Sequence, residues 1–170
     1  LIAVSNSVRR TLLSHGIPES KIVVVYNSTL DQTFLLHTDK EFNILWENRG
    51  KISPFTFLSV AMFTGMKGHK EIVDAVHAYT QIEHAPPIKV RLVGDGSKRA
   101  DILAYIVSRG LSECFEIAGA SNNIPHHLDT AHAFIHLAEQ ETFGIVLAEA
   151  GGRGLPAIAS NVGGIPEVID

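Results

Sequence analysis

The chain has 170 residues, 45% of them hydrophobic and 19% charged, with a mean hydropathy of +0.16. That balance supports a buried core and excludes an intrinsically disordered chain. A net charge of −4 and a pI near 6.1 provide no field for a polyphosphate backbone, so nucleic acid is excluded as the main partner. The single cysteine, Cys114, excludes an internal disulfide framework and a multi-cysteine zinc site, and it fits a reducing compartment, hence a cytoplasmic expectation. No run approaches the roughly 20 apolar residues of a membrane span. The opening Leu1-Ile2-Ala3-Val4 carries neither an initiating methionine nor a basic leader, so the sequence reads as one domain cut from a longer protein.

Short apolar runs rich in β-branched residues alternate with stretches of helical period, the pattern of parallel βαβ units. In chain order the expected strands are Ile2 to Val4, Ile22 to Tyr26, Phe55 to Met62, Ile88 to Val93, Phe115 to Ala118, Ala133 to Leu137 and Leu155 to Ala159. Helices are expected over Ser7 to His15, Gly68 to Glu83, Lys98 to Arg109, Pro125 to Thr130 and Phe143 to Gly152, with another starting at Ile165. Ile72, Val73, Val76 and Tyr79 share one helical face, and Phe143, Val146, Leu147 and Ala150 repeat the i, i+3, i+4, i+7 spacing ahead of a Gly151-Gly152 stop. Residues Thr29 to Pro54 fit this scheme poorly, and half-polar Lys40 to Gly50 reads equally as helix or loop. The fold class is α/β, a Rossmann-like parallel sheet with helices on both faces.

Ligands of such a sheet sit beyond the carboxyl ends of its strands, and four of the loops there carry glycines and charges. They are Gly65-Met66-Lys67-Gly68-His69-Lys70, Gly94-Asp95-Gly96-Ser97, Glu139-Gln140-Glu141-Thr142-Phe143-Gly144 and Val162-Gly163-Gly164-Ile165-Pro166-Glu167. Gly144 opens a helix, whose first-turn amides and positive end favour a phosphate. Along a helix, Glu141 and Glu149 would lie about 12 Å apart, too far for a hydrolase pair but suited to gripping two sugars that flank a diphosphate. By spacing alone, both glutamates fit equally well as ordinary surface charges.

Glu141-Thr-Phe-Gly-Ile-Val-Leu-Ala-Glu149-Ala150, Gly154-Leu-Pro-Ala-Ile-Ala-Ser and Val162-Gly-Gly-Ile-Pro-Glu together resemble the E-x7-E region of family 4 retaining glycosyltransferases of GT-B fold. Ile2-Ala-Val-Ser-Asn-Ser-Val, Ile22-Val-Val-Val-Tyr-Asn-Ser, Leu92-Val-Gly-Asp-Gly-Ser and Phe115-Glu-Ile-Ala-Gly119 extend the likeness over nearly the whole chain. The resemblance implies that residues 1–28 are the tail end of an acceptor domain with its linker strand, and that 29–170 form a nucleotide-sugar donor-binding domain, truncated at its C-terminus. It implies transfer of a hexose from a nucleotide diphosphate sugar, with retention, to a glycan or lipid-linked acceptor held by an N-terminal domain that is missing here. Glu149 would then bind the ribose and Glu141 the hexose, while Lys67 pairs with the diphosphate.

On the same resemblance, Thr142, Phe143, Gly144 and Ile145 face the sugar and diphosphate, Gly65 belongs to the loop that carries Lys67, and the loop after Gly119 lies against the base. No metal and no other cofactor is required, the truncated chain alone should be inactive, and the full-length protein would be cytoplasmic or peripheral at the inner face of the membrane. Two departures stand out. Met62 occupies the place of an arginine, and Leu137-Ala138 the place of Pro-Ser. The competing readings are a non-catalytic nucleotide-sugar-binding domain and a GT-B epimerase or phosphorylase. A dinucleotide fingerprint at Gly94-Asp95-Gly96 fails because its third glycine would fall on Arg99. His132 and His136 lie four apart on a strand, which separates them instead of stacking them as metal ligands. Cys114 reads as a buried, inert thiol.

Overall fold

The computed structural model describes residues 1–29, 34–36 and 38–169. Five parallel strands form the main sheet: β3 (Phe55–Val60), β4 (Ile88–Val93), β5 (Phe115–Gly119), β6 (Ala133–His136) and β7 (Ala157–Ala159), in the spatial order β5-β4-β3-β6-β7. Before them, β1 (Ile2–Ala3) and β2 (Val23–Val24) pair as a separate parallel ribbon around α1 (Asn6–Ser14). The sequence expectation that residues 29–54 fit poorly resolves in part: within the half-polar stretch Asp39–Arg49 forms helix α2, and residues 30–33 and 37 lie outside the described residues.

The strands are apolar on both faces because both are covered. Leu58 and Phe134 point into one core with Leu128 of α5 (Ile124–Asp129) and Leu147 and Ala150 of α6 (Ile145–Gly152). Val90 and Leu92 point into the other, with Ile72, Val73 and Val76 of α3 (His69–Thr80) and Ile106 of α4 (Arg99–Ser108). The two-residue alternation of each strand thus sorts its side chains between two helix layers.

Several element ends differ from the sequence expectation: β2 shrinks to Val23–Val24, β3 stops at Val60 instead of Met62, and α3 ends at Thr80 instead of Glu83. The segment at Ile165 is a single 3-10 turn, Ile165–Glu167, held early by Pro166. Helix α6 starts at Ile145 instead of Phe143, because Gly144 takes a left-handed φ of +99° that no regular helix accommodates. It runs through Gly152, and the left-handed turn that ends it is Gly154.

Helix α2 is half polar, yet it docks firmly. Thr38 caps its N-terminus in a reciprocal box with Glu41, and at its other end Arg49 is only 2% exposed. The Arg49 guanidinium donates to the carbonyls of Gly154 (3.1 Å), Leu128 (3.2 Å) and Arg153 (2.9 Å), tying α2 to the C-terminal ends of α5 and α6. Carbonyls at and just past a helix end lack intrahelical donors, and the guanidinium supplies them.

The N-terminal ribbon is fastened through Glu167. Its carboxylate accepts from the backbone amides of Asn6 (2.7 Å) and Ser7 (2.8 Å), which open α1, and from the Tyr26 hydroxyl (3.1 Å). The Tyr26 ring lies 6.0 Å from that of Phe143, which brings the ribbon up to the loop before α6.

Arg49→Met keeps the aliphatic stem and removes all three of these bonds, of which the one to the Leu128 carbonyl is fully buried. The substitution is expected to cost about 2–4 kcal/mol, lowering Tm by several degrees in thermal denaturation.

Candidate active site

The chain runs outward from β3 to β4 and β5, then crosses back to place β6 on the other side of β3. The loops after β3 and β6 therefore diverge, and between strand ends that part in this way a crevice opens. A cleft of about 240 Å³ lies there, lined by Ala61, Met62 and Lys67 after β3, by His136 at the end of β6, and by Glu141 to Val146 leading into α6. Asn27 of the N-terminal segment completes one wall.

Of the residues singled out from sequence, Lys67, Glu141, Thr142, Phe143, Gly144 and Ile145 meet in this cleft. Gly65 sits exposed in the loop before Lys67, and Gly119 ends β5 with its carbonyl accepting from the Gly94 amide at 2.8 Å; neither lines the cleft. Glu149 does not line it either. It is half-buried on α6, one turn beyond Ile145 and on the same helical face, about 6 Å along the axis. Glu141 lies in the loop and not on the helix, so the 12 Å separation drawn from helical rise does not describe this pair.

The Glu141 carboxylate is held from four sides. Oε1 accepts from the Thr142 amide (3.0 Å) and the Phe143 amide (3.4 Å), while Oε2 accepts from Lys67 Nζ (2.8 Å) and lies 3.3 Å from His136 Nε2. These contacts hold its pKa down at about 2 instead of 4.5; the His136 bond is the largest cause, and Lys67 adds to it against the opposing effect of burial. The backbone beneath it is fixed by the loop after β7. Gly164 N–H donates to the Glu141 carbonyl at 2.9 Å, and a Cβ on Gly163 would overlap that same carbonyl, so the Gly163-Gly164 pair is there to let two loops touch.

His136 is the cleft residue that sequence reasoning sets aside: its spacing from His132 argues only against a metal pair, yet it lines the cleft at 1% exposure. Its burial follows from strand alternation, but its contact with Glu141 comes from a loop five residues on that turns back over the strand end. His132 faces Phe55 and accepts from the Thr56 amide (2.9 Å), away from the cleft; among the described residues no cluster of metal-ligating side chains occurs. Next to His136, His69 opens α3, stacked on Phe63 with centroids 4.3 Å apart. Burial, and then the neighbouring His136, push His69 down to about 4.

Both shifts predict acid sensitivity. His69 stays neutral in the fold while the unfolded chain binds its proton near 6.5, so stability is lost as pH falls from about 6.5 to 4. Glu141 is ionised in the fold down to about 2, so its contribution, about 3 kcal/mol, is present above 4.5 and is lost as pH falls from there towards 2. In thermal denaturation as a function of pH, His69→Phe should flatten the upper window and Glu141→Gln the lower.

Residues 43–170 match the model of the family described as glycosyl transferases group 1. An N-acetyl-alpha-D-glucosaminyl L-malate synthase of Bacillus anthracis is 30% identical over 156 residues, which make up 89% of this chain and 39% of that protein. Among solved structures, Anabaena Alr3699/HepE in complex with UDP and glucose superposes with a TM-score of 0.82 at 23% identity, over 99% of this chain and 46% of that one. A glycosyltransferase from Rickettsia africae gives 0.78 at 26% identity, over 98% and 45%. The chain thus spans less than half the length of these relatives, and its sheet is that of the GT-B glycosyltransferases. By the match over residues 43–170, this chain belongs to the glycosyl transferases group 1 family.

Proposed function

We propose that the chain is the donor-binding part of a retaining hexosyltransferase that takes a nucleotide diphosphate sugar, without a metal ion, and serves a glycan or lipid-linked acceptor bound by another domain. The observation that carries this reading is the cleft at the β3–β6 divergence, where an ionised carboxylate, a lysine and the open end of a helix converge within about 240 Å³. HepE, whose fold this chain shares, is described in complex with UDP and glucose, and other relatives include a Vi polysaccharide biosynthesis protein of Salmonella typhi.

The chemistry follows from charge. Cleavage of the anomeric C–O bond leaves positive charge on the sugar and negative charge on the departing diphosphate, and the acceptor hydroxyl oxygen forms the new bond as its proton passes to the diphosphate. Lys67 and the first-turn amides of α6 meet the diphosphate charge as it develops, where a metal ion would otherwise act. Glu141 faces the hexose, and Glu149 takes the ribose hydroxyls further along α6. Phe143, Gly144 and Ile145 present backbone to the diphosphate, and the loop after Gly119 meets the base.

Met62, 65% exposed at the cleft wall, leaves Lys67 the one lysine or arginine lining it among the described residues. This observation favours a second reading, a binding domain that holds a nucleotide sugar without transferring it. Calorimetry with UDP, GDP and ADP, with and without magnesium, tests the site; binding is expected without metal, and strictly magnesium-dependent binding counts against it. Glu149→Ala should weaken both the nucleoside diphosphate and the nucleotide sugar roughly tenfold to a hundredfold, while Glu141→Ala should spare the nucleoside diphosphate. Equal and negligible effects from both variants, with folding intact by circular dichroism, would refute the donor-site assignment.

A further inference from the structure

An ionised carboxylate offers about four lone-pair positions, and those of Glu141 are all taken. Thr142 and Phe143 amides occupy Oε1, and Lys67 and His136 occupy Oε2. A carboxylate so occupied has no position for a sugar hydroxyl until one donor leaves. The amides belong to the next two residues of the chain and cannot leave. His136 is 1% exposed on the last residue of β6, its ring packed 6.4 Å from that of Phe134. Lys67 alone sits on a long flexible stem in an open loop, with its side chain 22% exposed.

We propose that His136 is the positioning residue for Glu141: its Nε2–H keeps the carboxylate aimed into the cleft while Lys67 transfers from Glu141 to the diphosphate, freeing one position on Oε2 for a hydroxyl of the sugar. This rests on the donor-site reading above and adds to it an exchange that couples recognition of the diphosphate to recognition of the sugar. Ionised Glu141 only accepts, so the hydrogen of the shared bond lies on Nε2. Nδ1 has no partner among the described residues, and the groups that face the ring are Glu141, Lys67 through that carboxylate, and neutral His69. When Lys67 departs, its positive charge goes with it, and the Glu141 carboxylate is left facing the sugar, where positive charge develops.

The test uses the full chain and titration calorimetry with UDP-, GDP- and ADP-glucose against the matching diphosphates, in His136→Leu, His136→Gln and His136→Asn. Gln can place its amide nitrogen near the position of Nε2, whereas Asn reaches only to that of Nδ1. The Leu and Asn variants should lose roughly tenfold in affinity for the nucleotide sugar, a charge-assisted bond, and stay within about twofold for the diphosphate, with Gln recovering most of the loss. Full sugar affinity in the Leu variant, equal losses for sugar and diphosphate, or no advantage of Gln over Asn overturns the proposal. Should the Leu variant fail to fold, the Gln and Asn pair decides.

Carboxyl carbon NMR of ligand-free Glu141 gives an independent readout. Its titration midpoint should rise from about 2 in the Leu and Asn variants and stay low with Gln; an unmoved midpoint in all three overturns the positioning role. If the wild-type chain binds none of the nucleotides, the donor-site reading fails and the Lys67 exchange with it, and the Glu141 titration then judges His136 by itself.

Discussion

A parallel sheet whose chain reverses its direction of growth must leave a gap between the loops on either side of the reversal, and here the reversal falls between β3 and β6. Three different crossovers meet at the gap. Lys67 arrives from the β3 loop, Glu141 from the β6 loop, and the Gly163-Gly164 backbone from the β7 loop beneath Glu141. The helices on the two faces of the sheet hold these loops in register, so the cleft is a consequence of strand order before it is a matter of side chains.

Within the gap the electrostatics is self-contained. Lys67 and Glu141 neutralise each other at 2.8 Å with both side chains largely shielded from water, which avoids leaving either charge buried alone. An anion entering the cleft meets a lysine that already has a partner, and a sugar meets a carboxylate whose positions are already filled. The resting site is therefore a closed set of hydrogen bonds that a ligand must rearrange in concert, and its rigid members are the two amides and His136.

How much of this the sequence discloses depends on the range of the interaction. The five main strands are legible because β-branched runs buried on both faces leave a local trace, and α3 because Ile72, Val73 and Val76 repeat at helical spacing. Helix α2 is not legible by apolar period, since its anchor is the polar end of Arg49 reaching carbonyls more than 75 residues away. The start of α6 is misplaced by two residues because the apolar period runs on through Phe143, whereas the backbone breaks at Gly144, whose φ of +99° composition does not reveal. The motif glutamates and Lys67 stand out as charges near glycines, but that Lys67 pairs with Glu141 across 74 positions is visible only in three dimensions. His136 has the opposite history: its burial is legible in the strand pattern, and its partner is not.

The Glu167 tether bears on the order in which the molecule assembles. It joins residues 160 and 161 positions apart, the most distant pairing in the hydrogen-bond network described here, and the closing of so long a loop brings no gain until the sheet between its ends exists. The ribbon, although synthesised before the sheet, must then wait for the chain beyond β7 before it can be fastened to it, and until then the open end of α1 lacks its carboxylate cap. A chain still emerging during synthesis would carry residues 1–26 not yet fastened to the sheet, and Tyr26 would come to rest beside Phe143 only as the final contacts close.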